Sequence, residues 1–179
     1  QQQIWEWTHL SEYQKDRILV YLGLVDDPLG VGWNKIQAQI AVGSGGPWGK
    51  GFLNGTQNIL GFLPRSVAPT DFIYSVIAEE TGFLGSVTVL TLFGLLMVIS
   101  GRIALRQQNH LGRLLSVGVL VLFFTHVFIN IAMTVGLMPI TGIPLPLLSY
   151  GGSFMVVMLS ALGILQSVHI RTRKPVIFE

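Results

Sequence analysis

The chain has 179 residues, half of them hydrophobic and only 11% charged. Soluble domains carry about 25% charged residues, so this composition excludes an ordinary soluble domain and points to a membrane. There is no cysteine and the net charge is only +2, which excludes a disulfide framework and a thiolate metal site, and gives no reason to expect a nucleic-acid partner.

The first residues, Gln1-Gln2-Gln3, show neither an initiator Met nor a signal-like basic region, so the sequence reads as the interior of a longer protein. Arg17–Leu24 is an apolar run too short to span a bilayer. Asp26-Asp27-Pro28-Leu29-Gly30 predicts a turn, and Lys35–Val42 is mildly amphipathic. The segment 43–51 holds five glycines in nine residues and includes Lys50. It lacks P-loop spacing and no strand precedes it. Its bare backbone N–H groups and Lys50 suit an anion, while the pattern itself favours a turn between two interfacial helices.

Pro69, Thr70 and Asp71 predict a helix start, with Thr70 as the N-cap and Asp71 in the first turn. An acid there is stabilised by the helix dipole without further purpose. It also stands beside a membrane helix, where a carboxylate can take the proton of an attacking sugar hydroxyl. One carboxylate suffices for an inverting transfer with a phosphate leaving group, whereas glycoside hydrolases use two. Glu79 and Glu80 fall about 80° and 180° from Asp71 around a helix, so they form no pair with it and read as interfacial ion-pair residues.

Three uncharged runs are long enough to cross a membrane: Phe83–Ser100, about Leu115–Val135 and about Pro144–Val168. His126, Asn130 and Thr134 make one polar stripe on the second, suited to hydrogen bonding between helices. Pro139, Gly142, Pro144 and Pro146 separate the second run from the third. With Gly151 and Gly152 they predict non-helical backbone at membrane depth, tolerated only where protein or a cavity covers it. Ser149, Tyr150 and Ser153 are its polar side chains.

Arg102, Arg106 and Arg113 follow the first span, and Arg171, Arg173 and Lys174 follow the third. Both segments are therefore expected in the cytoplasm. Residues 1–82 carry five basic and eight acidic residues, a net of −3, and are expected outside. The predicted fold is an all-α integral membrane bundle fragment with about three transmembrane helices and a large extracytoplasmic loop holding short interfacial helices. Its predicted regions are an extracytoplasmic loop over 1–82, the spans within 83–170 and a cytoplasmic tail over 171–179.

Three segments, in order, resemble the SEDS family (shape, elongation, division, sporulation) of membrane peptidoglycan glycosyltransferases. They are Gln39–Gly46 continuing to Asn54-Gly55-Thr56-Gln57; Phe62-Leu63-Pro64 with Thr70–Ile73 and Ile77–Gly82; and Gly136–Pro139 with Gly142–Pro146 and Ser149–Ser153. Details such as Gly49-Lys50-Gly51 are closer to the elongation members than to the division members. Pro69 stands where the family commonly has His, and Phe154 stands where it has a second Ser. The resemblance implies the C-terminal half of a protein of about ten membrane helices, in the bacterial inner membrane. It implies Asp71 as the catalytic base, with Ser44, Gly45, Gly46, Lys50, Thr70, Ser149, Tyr150, Gly151, Gly152 and Ser153 binding substrate. The implied substrate is lipid II, polymerised into glycan strands during cell-wall elongation. The implied partners are a class B penicillin-binding transpeptidase and the elongation machinery. The cofactor, including any divalent cation, is left open. A lipid-linked precursor flippase and a non-catalytic scaffold activating a transpeptidase are the competing functions.

Overall fold

The computed structural model describes residues 11–24, 31–64 and 67–172. The turn expected at 26–30 and the tail from Arg173 onward lie outside them. Six helices follow in chain order: α1 Glu12–Tyr21, α2 Val31–Ser44, α3 Thr56–Ile59, α4 Ile73–Arg106, α5 His110–Thr134 and α6 Gly152–Thr172. There is no strand among the described residues, and three of these helices, α4 to α6, are long and apolar enough to span a bilayer. The all-α membrane architecture is as the sequence predicts.

The spanning helices are apolar all round. Only 17%, 22% and 17% of their most apolar windows is buried within the chain, and Leu92, Leu95, Ile99, Val121, Phe128 and Val157 are exposed. Such surfaces belong in lipid or against further helices. Hydroxyls within them bond the carbonyl four residues back, as in Thr88 to Leu84, Ser100 to Leu96 and Ser160 to Val156. This satisfies polar groups that hydrocarbon cannot.

Helices α4 and α5 pair through the short connection 107–109, where the Asn109 side chain caps α5 by accepting from Leu111 N at 3.1 Å. At that same end Gln107 Nε2 donates to Val168 O (2.8 Å), fastening α6. Phe123, Met158 and Leu165 fill the space among the three helices. At the other end Leu63, Phe72, Met133 and Ile140 form a separate core beneath α2.

Helix α4 is not continuous. Gly82 takes φ 68° and ψ −161°, a conformation open essentially to glycine alone. The break removes the bonds that Phe83 N and Leu84 N would make to Glu79 O and Glu80 O. The glycine loop replaces all four partners. Phe83 N donates to Gly46 O (2.8 Å) and Leu84 N to Pro47 O (3.2 Å), while Lys50 N donates to Glu79 O (3.0 Å) and Gly51 N to Glu80 O (2.9 Å). The loop is a wedge set into the helical ladder. Glycine is required where it enters, since a Cβ on Gly49 would lie 2.1 Å from Glu80 O.

Two expected boundaries move. Thr70 is not the N-cap of α4 and Asp71 is not in its first turn: the cap position is Phe72. Val67 O accepts from Thr70 N, Asp71 N and Phe72 N, coiling the chain into a tight turn before the helix starts. Helix α6 begins at Gly152 rather than Pro144, because residues 144–151 are held by side-chain and long-range bonds instead of a helical ladder.

Gly49→Ala should therefore push the wedge out of α4. Overpacking of this kind destabilises by about 1–3 kcal/mol. Thermal unfolding in detergent should show a lower midpoint for this variant, and no lowering for Gly118→Ala within α5, where a Cβ meets nothing within 4 Å and alanine favours the helix.

Candidate functional site

Asp71 sits in the turn just before α4, half-buried. Its surroundings come from three other parts of the chain. Asn130 of α5 donates through Nδ2 to Asp71 O and to Ile143 O, both at 2.8 Å. Ser149 Oγ donates to Thr70 O and accepts from Leu145 N at 2.7 Å. Tyr150 N donates to Pro69 O at 2.8 Å. From α1, Arg17 Nη1 donates to Ile140 O at 2.7 Å. The segment 140–150 is thereby laid directly along residues 69–71.

Gly142 lies at the centre of this contact, with φ +75°. A methyl group added there would sit 3.4 Å from Asp71 Oδ2 and 3.8 Å from Arg17 Nη1. The bare face of Gly142 thus leaves room beside an acid and a guanidinium. Burial pushes the Asp71 carboxyl above its ordinary range, against the opposing pull of the Thr70 side-chain hydrogen bond and of Arg17. A carboxylate with raised basicity can accept a proton from a hydroxyl brought against it.

A second polar cluster lies farther along α4, about eight residues or roughly 12 Å of helix from Asp71. Glu79 is fully buried. Its Oε1 accepts from Lys50 Nζ (2.6 Å), Thr56 Oγ1 (2.9 Å) and Gln57 N (3.1 Å). Lys50 Nζ also donates to Thr56 Oγ1 (2.7 Å) and Ser44 Oγ (2.8 Å). An ammonium has three N–H donors, and all three are engaged. Lys50, which the sequence offers for a phosphate, is here held by buried Glu79. Glu79 is an ion-pair residue, as its position suggested.

The expected site residues therefore separate. Thr70, Asp71, Ser149 and the Tyr150 backbone meet at one corner. Ser44, Gly45, Gly46 and Lys50 belong to the wedge, where Gly45 packs on Ala78 O and Gly46 O receives Phe83 N. Ser149 is buried with its hydroxyl engaged by backbone on both sides, so it holds the corner together and does not present a hydroxyl to substrate. The Tyr150 side chain is 80% exposed. Gly151 O accepts from Met155 N as α6 begins, and Gly152 and Ser153 are exposed in its first turn. The sequence does not mark Arg17, Asn130 or Gly142 as site residues. Only Asn130 carries a signal there, as a lone amide in an apolar span.

Residues 2–174 match the model of the FtsW/RodA/SpoVE family, described as cell cycle proteins. The chain belongs to this family. Among its relatives, peptidoglycan glycosyltransferase MrdB of Escherichia coli K12 is 45% identical over 160 residues, which are 89% of this chain and 43% of the relative. Peptidoglycan glycosyltransferase RodA of Treponema pallidum is 44% identical over 162 residues, 90% of this chain and 37% of the relative. A solved structure described as "Structural coordination of polymerization and crosslinking by a peptidoglycan synthase complex" superimposes with a TM-score of 0.73 at 34% identity, covering 94% of this chain and 45% of that one. The chain spans less than half the length of these family relatives.

The Lys50–Glu79 pair is open to a direct test. Lys50→Met leaves a buried carboxylate without its cation and should destabilise by about 3–5 kcal/mol. Lys50→Met with Glu79→Leu removes both charges and should recover most of that loss. Thermal unfolding of the two variants side by side is the measurement.

Proposed function

We propose that the protein is a peptidoglycan glycosyltransferase that polymerises lipid II into glycan strands, with Asp71 as the general base. The observation that carries this reading is the Asp71 carboxyl, raised in basicity and set against the bare face of Gly142, where the space is about that of a methyl group. The names of the relatives support the reaction class. In the proposed step a sugar hydroxyl oxygen attacks the anomeric carbon of the lipid-linked donor. Asp71 takes the hydroxyl proton as the new C–O bond forms. The bond to the pyrophosphate breaks, and the lipid pyrophosphate leaves as an anion, needing little acid help.

The Arg17 guanidinium, beside the same space, favours the charge on Asp71 and on the departing phosphate. Tyr150 and Ser153 supply exposed polar side chains near the corner. The backbone of 43–46 and Lys50 act by fixing the wedge against α4. We further propose that the protein lies in the bacterial inner membrane, with residues 1–82 and the Asp71 corner outside. The elongation machinery and a class B penicillin-binding transpeptidase are the proposed partners; the resemblance to a peptidoglycan synthase complex supports this. Lipid II is then met on the side of the membrane where strands are built.

Asp71→Asn in the full-length protein with its partner should lower polymerisation of lipid II by about 10²–10⁴-fold while partner binding persists. Near-normal strand synthesis would falsify the assignment. The base works only when ionised. Because burial raises the folded carboxyl above its ordinary range, activity should fall as pH drops through that raised value, before an unperturbed Asp would protonate. A pH profile of initial rates with the acid limb at an ordinary aspartate value would contradict the burial argument.

Sidedness has its own check. Single cysteines placed at Asn54 and Thr141 should react with an impermeant thiol reagent on intact cells, and one at Arg106 should not. The absence of native cysteine in this segment keeps its background low. Labelling at 106 alone would place the acid on the cytoplasmic side.

A further inference from the structure

The amide of Asn130, on a spanning helix, reaches the backbone of both segments that meet where Asp71 lies against Gly142. Asn130 is fully buried in α5. Its Nδ2 donates to two carbonyl oxygens, Asp71 O and Ile143 O, each at 2.8 Å. Only the NH₂ end of an amide can serve two acceptors, so the orientation of the group is fixed by its partners. The Oδ1 atom is left buried without a hydrogen bond. Thr134 Oγ1 donates to the Asn130 carbonyl at 2.7 Å, closing that turn of α5 against its own helix.

An asparagine that only joined helices would bond another helix. Asn130 instead holds two segments that are not helical at the point of contact. One carries the acid and the other carries Gly142. Each segment has further ties: Ser149 to Thr70 O, Tyr150 N to Pro69 O, and Arg17 to Ile140 O. Those ties attach to neighbouring residues. Asn130 bonds the backbone of Asp71 itself and that of the residue next to Gly142 through a single rigid group. Both N–H groups leave one planar amide, so the two carbonyls cannot separate without breaking a bond.

We propose that Asn130 is a positioning residue that fixes the gap between the Asp71 carboxylate and the face of Gly142, where the reacting hydroxyl is placed. This rests on the reading of Asp71 as the general base. A proton acceptor must lie within about 2.6–3.2 Å of the proton's oxygen, and a misplacement of about 1 Å can lower the rate some 10²-fold. Asn130 touches no substrate. Its effect is on the turnover step and not on binding of the lipid-linked substrate.

The test uses the full-length protein with its partner and purified lipid II. Asn130→Leu keeps the branched side-chain shape, with somewhat more bulk, and removes both donors; Asn130→Ser keeps a single donor. For Asn130→Leu, kcat should fall about 10²-fold with KM within about twofold of wild type, measured per folded, partner-bound molecule. Asn130→Ser should fall between Asn130→Leu and wild type. If Asn130→Leu does not fold, Asn130→Ser alone decides by its kcat at unchanged KM. The proposal is overturned by an unchanged kcat per folded molecule, or by a raised KM with kcat unchanged. Asp71→Asn assayed alongside separates the two ideas. An inactive Asp71→Asn with a normal Asn130→Leu removes only the positioning role, whereas an active Asp71→Asn removes the general base and this role with it.

Discussion

The break in α4 at Gly82 is the constraint on which the rest depends. A helix entering a membrane cannot leave backbone N–H and C=O groups unpaired, because each unsatisfied group costs several kcal/mol in hydrocarbon. The wedge supplies four backbone bonds at the break, so the helix can turn there without that loss. Those bonds require the loop backbone to approach α4 closely, and glycine at 49 and 82 permits it. The Lys50–Glu79 pair then fixes the loop from inside. Removing the wedge would expose the break, and the segment of α4 before Gly82, which begins just after Asp71, would lose its fixed direction.

The Asp71 corner is built on a different principle. No regular ladder joins residues 69–71 to 140–150. Side chains bridge to backbone carbonyls: Arg17 to Ile140, Asn130 to Asp71 and Ile143, Ser149 to Thr70. Such bonds come from three separate parts of the sequence and place prolines and glycines in one arrangement that no helix or strand would give them. An arrangement held from several directions is one that needs little reorganisation when charge moves within it.

The spans were legible because an uncharged run of membrane length is too apolar to be stable in water. The part of α4 before Gly82 was not, because Glu79 and Glu80 interrupt hydropathy and read as the edge of a bilayer. Glu79 is buried by partners that lie 29 and 23 residues before it, Lys50 and Thr56, and pairing at that distance leaves no periodic trace. The same limit hid Arg17, whose partner Ile140 is 123 residues away. The glycine loop showed that backbone would come close to something. It did not show that the something was a broken helix and not an anion. Pro139 to Pro146 did announce irregular backbone, since proline chemistry is local. The Thr70 cap failed for a local reason too: the turn closing on Val67 O is an alternative to a cap that a Thr-Asp pair allows equally well.

That misplaced cap bears on the chemistry. An aspartate in the first turn of α4 would accept hydrogen bonds from free backbone N–H groups and feel the positive end of the helix. Both stabilise the charged form and lower the pKa, leaving a weak base. Asp71 lies instead before the cap, its own N–H tied to Val67 O. Burial there works in the opposite direction and prevails over the hydrogen bond from Thr70 and the charge of Arg17. The two opposing influences act against the rise, and the net effect is a gain in basicity. A helix-start motif displaced by two residues thus becomes a place where an acid can act as a base.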